Sequence, residues 1–275
     1  MPELPEVEII ARALRQGGRG GTAIIGQRVT DIVLADEKLL ADMSAVDFRR
    51  KYLGAWIKGV ERRAKYICVH TSQGDWIFHL RMTGDLFTDD HSGTSSRFQR
   101  LCVILDDNWH LRFCDPRRLG KMWALTHKEV LWENIGPEPL ASTFHVEVLK
   151  GALHSTRQAI KKALLDGRRV AGLGNIWADE ALFLASIHPE RPAKELSNRE
   201  LEALCDGIRD ALQMGIENTA KSLTWVHRGS ERGPPPGQVH LREGEPCPRC
   251  EALIARIRVG GRSTYFCPRC QPASP

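Results

Sequence analysis

Apolar residues first recur at helical spacing near the start of the chain, at Val7, Ile10, Ala11 and Leu14. Pro5 suits a first helical turn and Gly17 with Gly18 ends one, so a helix is expected directly after residues 1–4. From about Gln27 to Leu125 the pattern changes to short β-rich runs at 28–34, 56–60, 66–70, 76–80, 101–105 and 110–113. The breaks between them hold turn sequences, Gly74-Asp75, Gly84-Asp85 and Asp106-Asp107-Asn108. Many short strands separated by turns imply a sandwich or a barrel.

Beyond Gly136-Pro137-Glu138-Pro139 the helical spacing returns. Ala159, Ile160, Ala163 and Leu164 form one stripe, and a second helix is expected to start at Asn175 and run through Ala181, Leu182 and Ala185. Ser197 and Glu200 make a capping box, after which Leu201, Leu204, Cys205, Ile208, Ala211 and Leu212 give one buried face. Residues 228–246, with Pro234-Pro235-Pro236, read as a flexible connection. The expected architecture is α+β: an N-terminal β-sandwich with flanking helices over 1–136, a helical module over 137–230, and a linker with a hairpin over 231–275.

At 275 residues the chain has room for two modest domains of roughly 100–200 residues each. Its 42% hydrophobic and 27% charged residues exclude a disordered chain, and no apolar run approaches the roughly 18 residues of a membrane span. Three glutamates in the first eight residues stand where a secretory leader would be basic and then apolar, so a cytoplasmic protein is expected. The net charge of +5 is unevenly placed. From Lys221 onward there are nine Lys/Arg against four Asp/Glu, while the preceding residues carry 30 of each sign. A basic segment on a neutral body is the footprint of a polyanion binder, although a solvated basic tail gives the same count.

Cys68, Cys102, Cys114 and Cys205 are scattered and read as buried, inert thiols. The other four form Cys247-Pro-Arg-Cys250 and Cys267-Pro-Arg-Cys270, with sixteen residues between the pairs. Two C-x-x-C turns at hairpin spacing make a tetrahedral Zn2+ site, and four thiolates leave no open position, so the metal is expected to be structural. Disulfide pairing is the alternative, disfavoured in a reducing compartment.

Four strings then stand in order: Pro2-Glu3-Leu4-Pro5-Glu6-Val7-Glu8, Asp115-Pro116-Arg117-Arg118-Leu119-Gly120, Gly172-Leu173-Gly174-Asn175-Ile176, and the four-cysteine hairpin. Together they resemble the formamidopyrimidine-DNA glycosylase/endonuclease VIII family of base-excision repair enzymes over essentially the whole chain, and the opening string is closer to the formamidopyrimidine branch. The resemblance implies a sandwich and a helix-two-turn-helix module gripping damaged or abasic double-stranded DNA in the cleft between them, as a monomer of bacterial type. It implies a bifunctional DNA glycosylase and abasic-site lyase for oxidised bases. An endonuclease VIII-like enzyme for oxidised pyrimidines and a non-catalytic damaged-DNA binding protein are the rivals.

On this resemblance Pro2, freed by removal of Met1, is the nucleophile that forms a Schiff base with the sugar. A secondary amine gives an iminium directly, and an α-amino group titrates at about 7.7–8.0, so a neutral fraction exists near pH 7. Glu3 is the implied acid/base, Lys65 contacts the reacting nucleotide from a strand, and Arg262 grips the phosphates at the lesion. Glu6 reads equally as a first-turn carboxylate favoured by the helix dipole. Met82, Arg117 and Leu119 occupy the positions of the side chains that fill the gap left by the extruded base, with Arg118 beside them. Burial in the core is the alternative for Met82 and Leu119. Asn175 would meet a phosphate at a helix start, where an ordinary N-cap also fits, and Arg157 and Lys161, one helical turn apart, would meet the DNA backbone or form a solvated basic face. The chain departs from many members in having Leu119 for Phe, Phe98 for a DNA-contacting His, and a short segment before Cys247. The last feature, with its prolines, predicts a lesion preference broader than, or shifted from, that of an 8-oxoguanine specialist.

Overall fold

The computed structural model describes residues 2–90, 97–125, 129–221 and 237–273. Met1 and the proline-bearing part of the expected linker, 222–236, lie outside the described residues. The chain divides into two compact units. The first holds Pro2 and Glu6–Glu133, and the second gathers Glu3–Pro5 with the chain from Asn134 onward, including the C-terminal hairpin. The hairpin expected as a separate segment thus belongs to the same unit as the helices. No helix among the described residues is long and apolar enough to cross a membrane.

In the first unit α1 (Leu4–Gln16), whose first two residues are assigned to the second unit, precedes β1 (Val29–Leu34) and α2 (Ala45–Tyr52). Then come β2 (Ile57–Arg63), β3 (Tyr66–Thr71), β4 (Gly74–His79), β5 (Asp85–Asp89), β6 (Gln99–Leu105), β7 (His110–Cys114), β8 (Lys121–Leu125) and the short α3 (Glu129–Trp132). Two antiparallel four-stranded sheets form, in the orders β1-β6-β7-β5 and β2-β3-β4-β8. Alternation along the strands sends Ile67, Val69, Trp76, Phe78, Met122 and Ala124 of one sheet and Leu86, Val103, Leu111 and Phe113 of the other into one core. The expected sandwich is therefore present.

Two elements run against the local pattern. β5 opens on Asp85, which reads as a turn in sequence, but its fully buried carboxylate is ion-paired to Arg19 at 2.8 Å. α2 interrupts a β-rich stretch because Ser44 caps it, accepting from the Asp47 N–H, and Phe48 and Tyr52, one turn apart, pack on Trp76 with ring centroids 5.7 and 5.3 Å away.

The second unit contains α4 (Val146–Leu153), α5 (Ile160–Leu164), α6 (Asn175–Leu184), α7 (Asn198–Lys221), and the strands β9 (Ala255–Val259) and β10 (Arg262–Phe266). The capping box forms as read: Glu200 accepts from the Ser197 N–H and hydroxyl. α6 and α7 approach closely at Gly207, where a Cβ would stand 2.8 Å from the Ala181 carbonyl oxygen. Gly260 and Gly261, both at positive φ, turn β9 into β10.

Candidate active site and nucleic-acid interface

The two glycines of Gly172-Leu173-Gly174 make room for the start of the chain. A Cβ on Gly172 would lie 2.6 Å from Leu4 Cδ1, and one on Gly174 only 2.2 Å from Glu3 Cδ. With that space open, the Leu4 N–H donates to the Gly172 carbonyl at 3.2 Å. Glu3 Oε1 accepts from the Ile176 N–H at 3.1 Å and Oε2 from the Trp177 N–H at 3.3 Å. Glu3 is 3% exposed, and Pro2 beside it is buried. Gly174, not Asn175, is the N-cap of α6. The helix-start donors expected to receive a phosphate thus hold the protein's own carboxylate, which the helix dipole also attracts.

Asn175 instead turns its amide onto the hairpin, with Nδ2 donating to the Ser263 carbonyl at 2.9 Å. Lys161 differs from expectation in the same way. Arg157 is exposed but precedes α5, so the two do not share a helix face, and the Lys161 side chain is fully buried. Its ammonium pairs with Asp179 at 2.6 Å and donates to the Ser263 carbonyl and the Thr264 hydroxyl at 3.0 and 2.8 Å. Burial pulls the Lys161 pKa down, against the pull of Asp179. The other Asp179 oxygen lies 2.7 Å from His240 Nδ1, and Glu180 accepts the N–H groups of Gln238, Val239 and His240. Burial raises the Glu180 pKa while those three donors lower it. This buried network fixes the strand that carries Arg262, which stands exposed at the head of β10. The expected solvated basic face is therefore an internal strut at Lys161.

In the first unit Met82 and Leu119 are 43% and 41% exposed, so neither is core. Arg117 and Arg118 are exposed beside Leu119. All four are placed by Asp115, whose fully buried carboxylate accepts from the Thr83 hydroxyl, from the Arg117 N–H at 3.1 Å, and from the Leu119 and Gly120 N–H groups at 2.7 Å each. One side chain thereby ties the Met82 turn to the Arg117–Leu119 loop. The sequence contains the signal, an Asp before Pro opening a turn, but its reach to Thr83 depends on tertiary structure. Arg118 takes φ 54 and lies 3.6 Å from Asp36, and the Arg97 guanidinium sits 4.6 Å from the centre of the half-buried Phe98 ring.

Lys65 lies in the two-residue turn between β2 and β3 rather than in a strand, with Ala64 before it at φ 53. His79 closes the neighbouring strand. Its Nδ1 accepts the Arg81 N–H at 3.0 Å, and burial, with Arg81 and Lys65 nearby, brings its pKa down to about 4. A ring with that pKa is uncharged near neutral pH, and with Nδ1 accepting, its proton belongs on Nε2.

The four hairpin cysteines bring their sulfurs within 4.8 Å of one another, at 3.5 Å for Cys250 and Cys267 and 3.9 Å for Cys247 and Cys270. A tetrahedron of Zn–S bonds of about 2.3 Å has an edge of about 3.8 Å, whereas a disulfide would be about 2.05 Å. The Arg249 and Cys270 N–H groups donate to Cys247 and Cys267 sulfurs at 3.4 Å. The donor set fits one structural zinc.

Comparison with known proteins agrees with this geometry. Residues 1–122 match the family model of the formamidopyrimidine-DNA glycosylase N-terminal domain, 135–226 its H2TH domain, and 244–273 the zinc finger found in FPG and IleRS. The formamidopyrimidine-DNA glycosylase of a Synechocystis species is 37% identical over 99% of both chains, and that of a Roseiflexus species is 39% identical over 98% of this chain and all of its own. Structures of the Lactococcus lactis enzyme align over 98% of this chain. One in complex with Fapy-dG-containing DNA has a TM-score of 0.85 at 31% identity, and one with DNA containing an oxidised pyrimidine 0.84 at 32%. A two-unit protein with a sandwich, an H2TH module and a four-cysteine finger defines a class of DNA glycosylases. This chain belongs to the formamidopyrimidine-DNA glycosylase family.

Proposed function

We propose that the chain is a bifunctional base-excision glycosylase and abasic-site lyase acting on duplex DNA as a cytoplasmic monomer, with the Pro2 amine as nucleophile. The observation that carries this reading is the pinning of Glu3 by the N–H groups of Ile176 and Trp177. Consecutive Cα atoms are about 3.8 Å apart, so a fixed Glu3 confines the Pro2 nitrogen to a small volume beside a carboxylate. The Pro2 nitrogen attacks the sugar C1′. The Pro2 N–H proton passes to the Glu3 carboxylate, the N-glycosidic bond breaks, the base departs and takes a proton from water, and an iminium links Pro2 to the opened sugar, whose ring oxygen takes that proton from Glu3. Loss of a C2′ proton then expels the 3′ phosphate, and water hydrolyses the iminium to release the enzyme. Met82, Arg117 and Leu119 fill the duplex gap, Arg118 and Arg157 add backbone contacts, and Lys65 and Arg262 contact the lesion nucleotide. Lys161 and Asn175 act by holding the Arg262 strand. Zinc supplies the folding energy of the hairpin.

Leu119 is an apolar wedge without a flat ring for stacking, which supports a broad opposite-strand tolerance. Single-turnover cleavage of duplexes differing only in the damaged base tests the reading. Ring-opened purines and abasic sites are expected to be processed at least as well as 8-oxoguanine. Absence of cleavage on every oxidised-base duplex would return the chain to the binding-protein rival.

A further inference from the structure

On the face of the β2-β3-β4-β8 sheet turned away from the core, Cys68 and His70 stand two residues apart on β3 and project to the same side. Asp75 on β4 is directly opposite His70, and Glu61 on β2 is directly opposite Cys68. The register is locked by the β3–β4 turn, where the Thr71 hydroxyl donates to the Gly74 carbonyl at 2.6 Å and accepts the Gln73 N–H at 3.1 Å. His70 Nδ1 lies 2.9 Å from Asp75 Oδ1 and 3.7 Å from Cys68 Sγ, and Nε2 lies 3.1 Å from Glu61 Oε2. Thiol, ring nitrogen and carboxylate oxygen all fall within 4.8 Å of one another.

We propose that this cluster is a second zinc site, with Cys68 Sγ, His70 Nδ1 and an Asp75 carboxylate oxygen as ligands and the Glu61 carboxylate 3.1 Å from Nε2 as an outer ionic partner. Tetrahedral zinc with Zn–S about 2.3 Å, Zn–N about 2.0 Å and Zn–O about 2.1 Å separates sulfur from nitrogen by about 3.5 Å and nitrogen from oxygen by about 3.4 Å. The spacings in the cluster are within half an ångström of these. A thiolate and a carboxylate neutralise the metal's charge beside the buried Cys68 sulfur, and the Glu61 carboxylate beyond them is 64% exposed to water. A carboxylate on the far nitrogen of a ligating imidazole is the usual support of such a ligand, and a thiolate with an imidazole selects zinc over magnesium or calcium. The His70 and Asp75 side chains are 21% and 17% exposed, which leaves an entry path and a fourth position for water. A nucleophilic cysteine relay does not fit, because thiol and carboxylate face the same ring nitrogen instead of opposite ones. The ligands would clamp β3 to β4, with Glu61 of β2 alongside, starting three residues after Lys65.

The test uses the whole protein with its hairpin zinc in place. Calorimetric titration with Zn2+ should show one further equivalent, and Co2+ should add a thiolate-to-metal absorption band while elemental analysis shows the hairpin zinc retained. Cys68→Ser should remove the band, and His70→Gln, at a part-exposed position where fold damage is small, should weaken uptake by at least about 100-fold. Glu61→Gln should weaken it by about 10-fold, as loss of an outer partner does. No second equivalent, or uptake that survives either Cys68→Ser or His70→Gln, overturns the proposal and leaves an imidazole ring bridging two carboxylates.

Discussion

Gly174 leaves no space for even a methyl group, because the Glu3 carboxyl carbon lies 2.2 Å from where its Cβ would be. Gly174→Ala must therefore displace Glu3 from the start of α6. Activity on abasic-site DNA should fall by more than about 100-fold, the scale at which small misplacements act, while the melting temperature moves by only a few degrees. Kinetics and thermal unfolding of the variant check this. His79 offers a second residue-scale test. Its folded pKa of about 4 is below the unfolded 6.5, so the unfolded state binds more protons between those values. Its contribution to stability is present above pH 6.5 and is lost as the pH falls toward 4, by about 3 kcal/mol in total at about 1.36 kcal/mol per unit. His79→Asn, which keeps an acceptor for the Arg81 N–H, should flatten that part of the urea-unfolding pH profile. At this scale the sequence was uneven to read. Pro2, Glu3, Met82 and Leu119 stand out in the sequence as candidates, whereas the reach of Asp115 to Thr83 and the burial of His79 come only from partners brought close by the fold.

Lys161 and Asn175 show why elements are harder to assign to a function than to a shape. The start of α6 at Asn175 and the stripe of α5 are both legible from spacing and punctuation. The direction in which Lys161 points is not, since Asp179 comes from the following helix α6 and Ser263 from the hairpin, about a hundred residues away in sequence. Lys161→Met should retain a full equivalent of hairpin zinc yet lose about 3 kcal/mol of stability, because Asp179 keeps its burial and loses its ammonium. Denaturant titration together with zinc analysis separates this from loss of a DNA-contacting charge, which would leave stability unchanged. The hairpin itself was legible in full from its four cysteines. It cannot bury a sufficient core alone, so Cys247→Ser should remove its zinc and its DNA binding. The separate core of the sandwich should keep its near-ultraviolet circular dichroism signal. A variant active without hairpin zinc would contradict that dependence.

For the whole molecule, the sandwich, the helical module and the finger follow from period, capping and cysteine spacing, and the family from four strings in order. β5 and α2 escaped because a buried ion pair at Asp85 and an aromatic cluster around Trp76 override the local pattern. An iminium needs a free amine on the first residue after Met1. Protein beginning at Pro2 should be incubated with abasic-site duplex and borohydride, and the cross-linked peptide sequenced by mass spectrometry. A stable adduct on the Pro2 nitrogen, strongly reduced in Pro2→Gly, is expected. An adduct on a lysine, or no adduct from protein that binds the duplex, would contradict it.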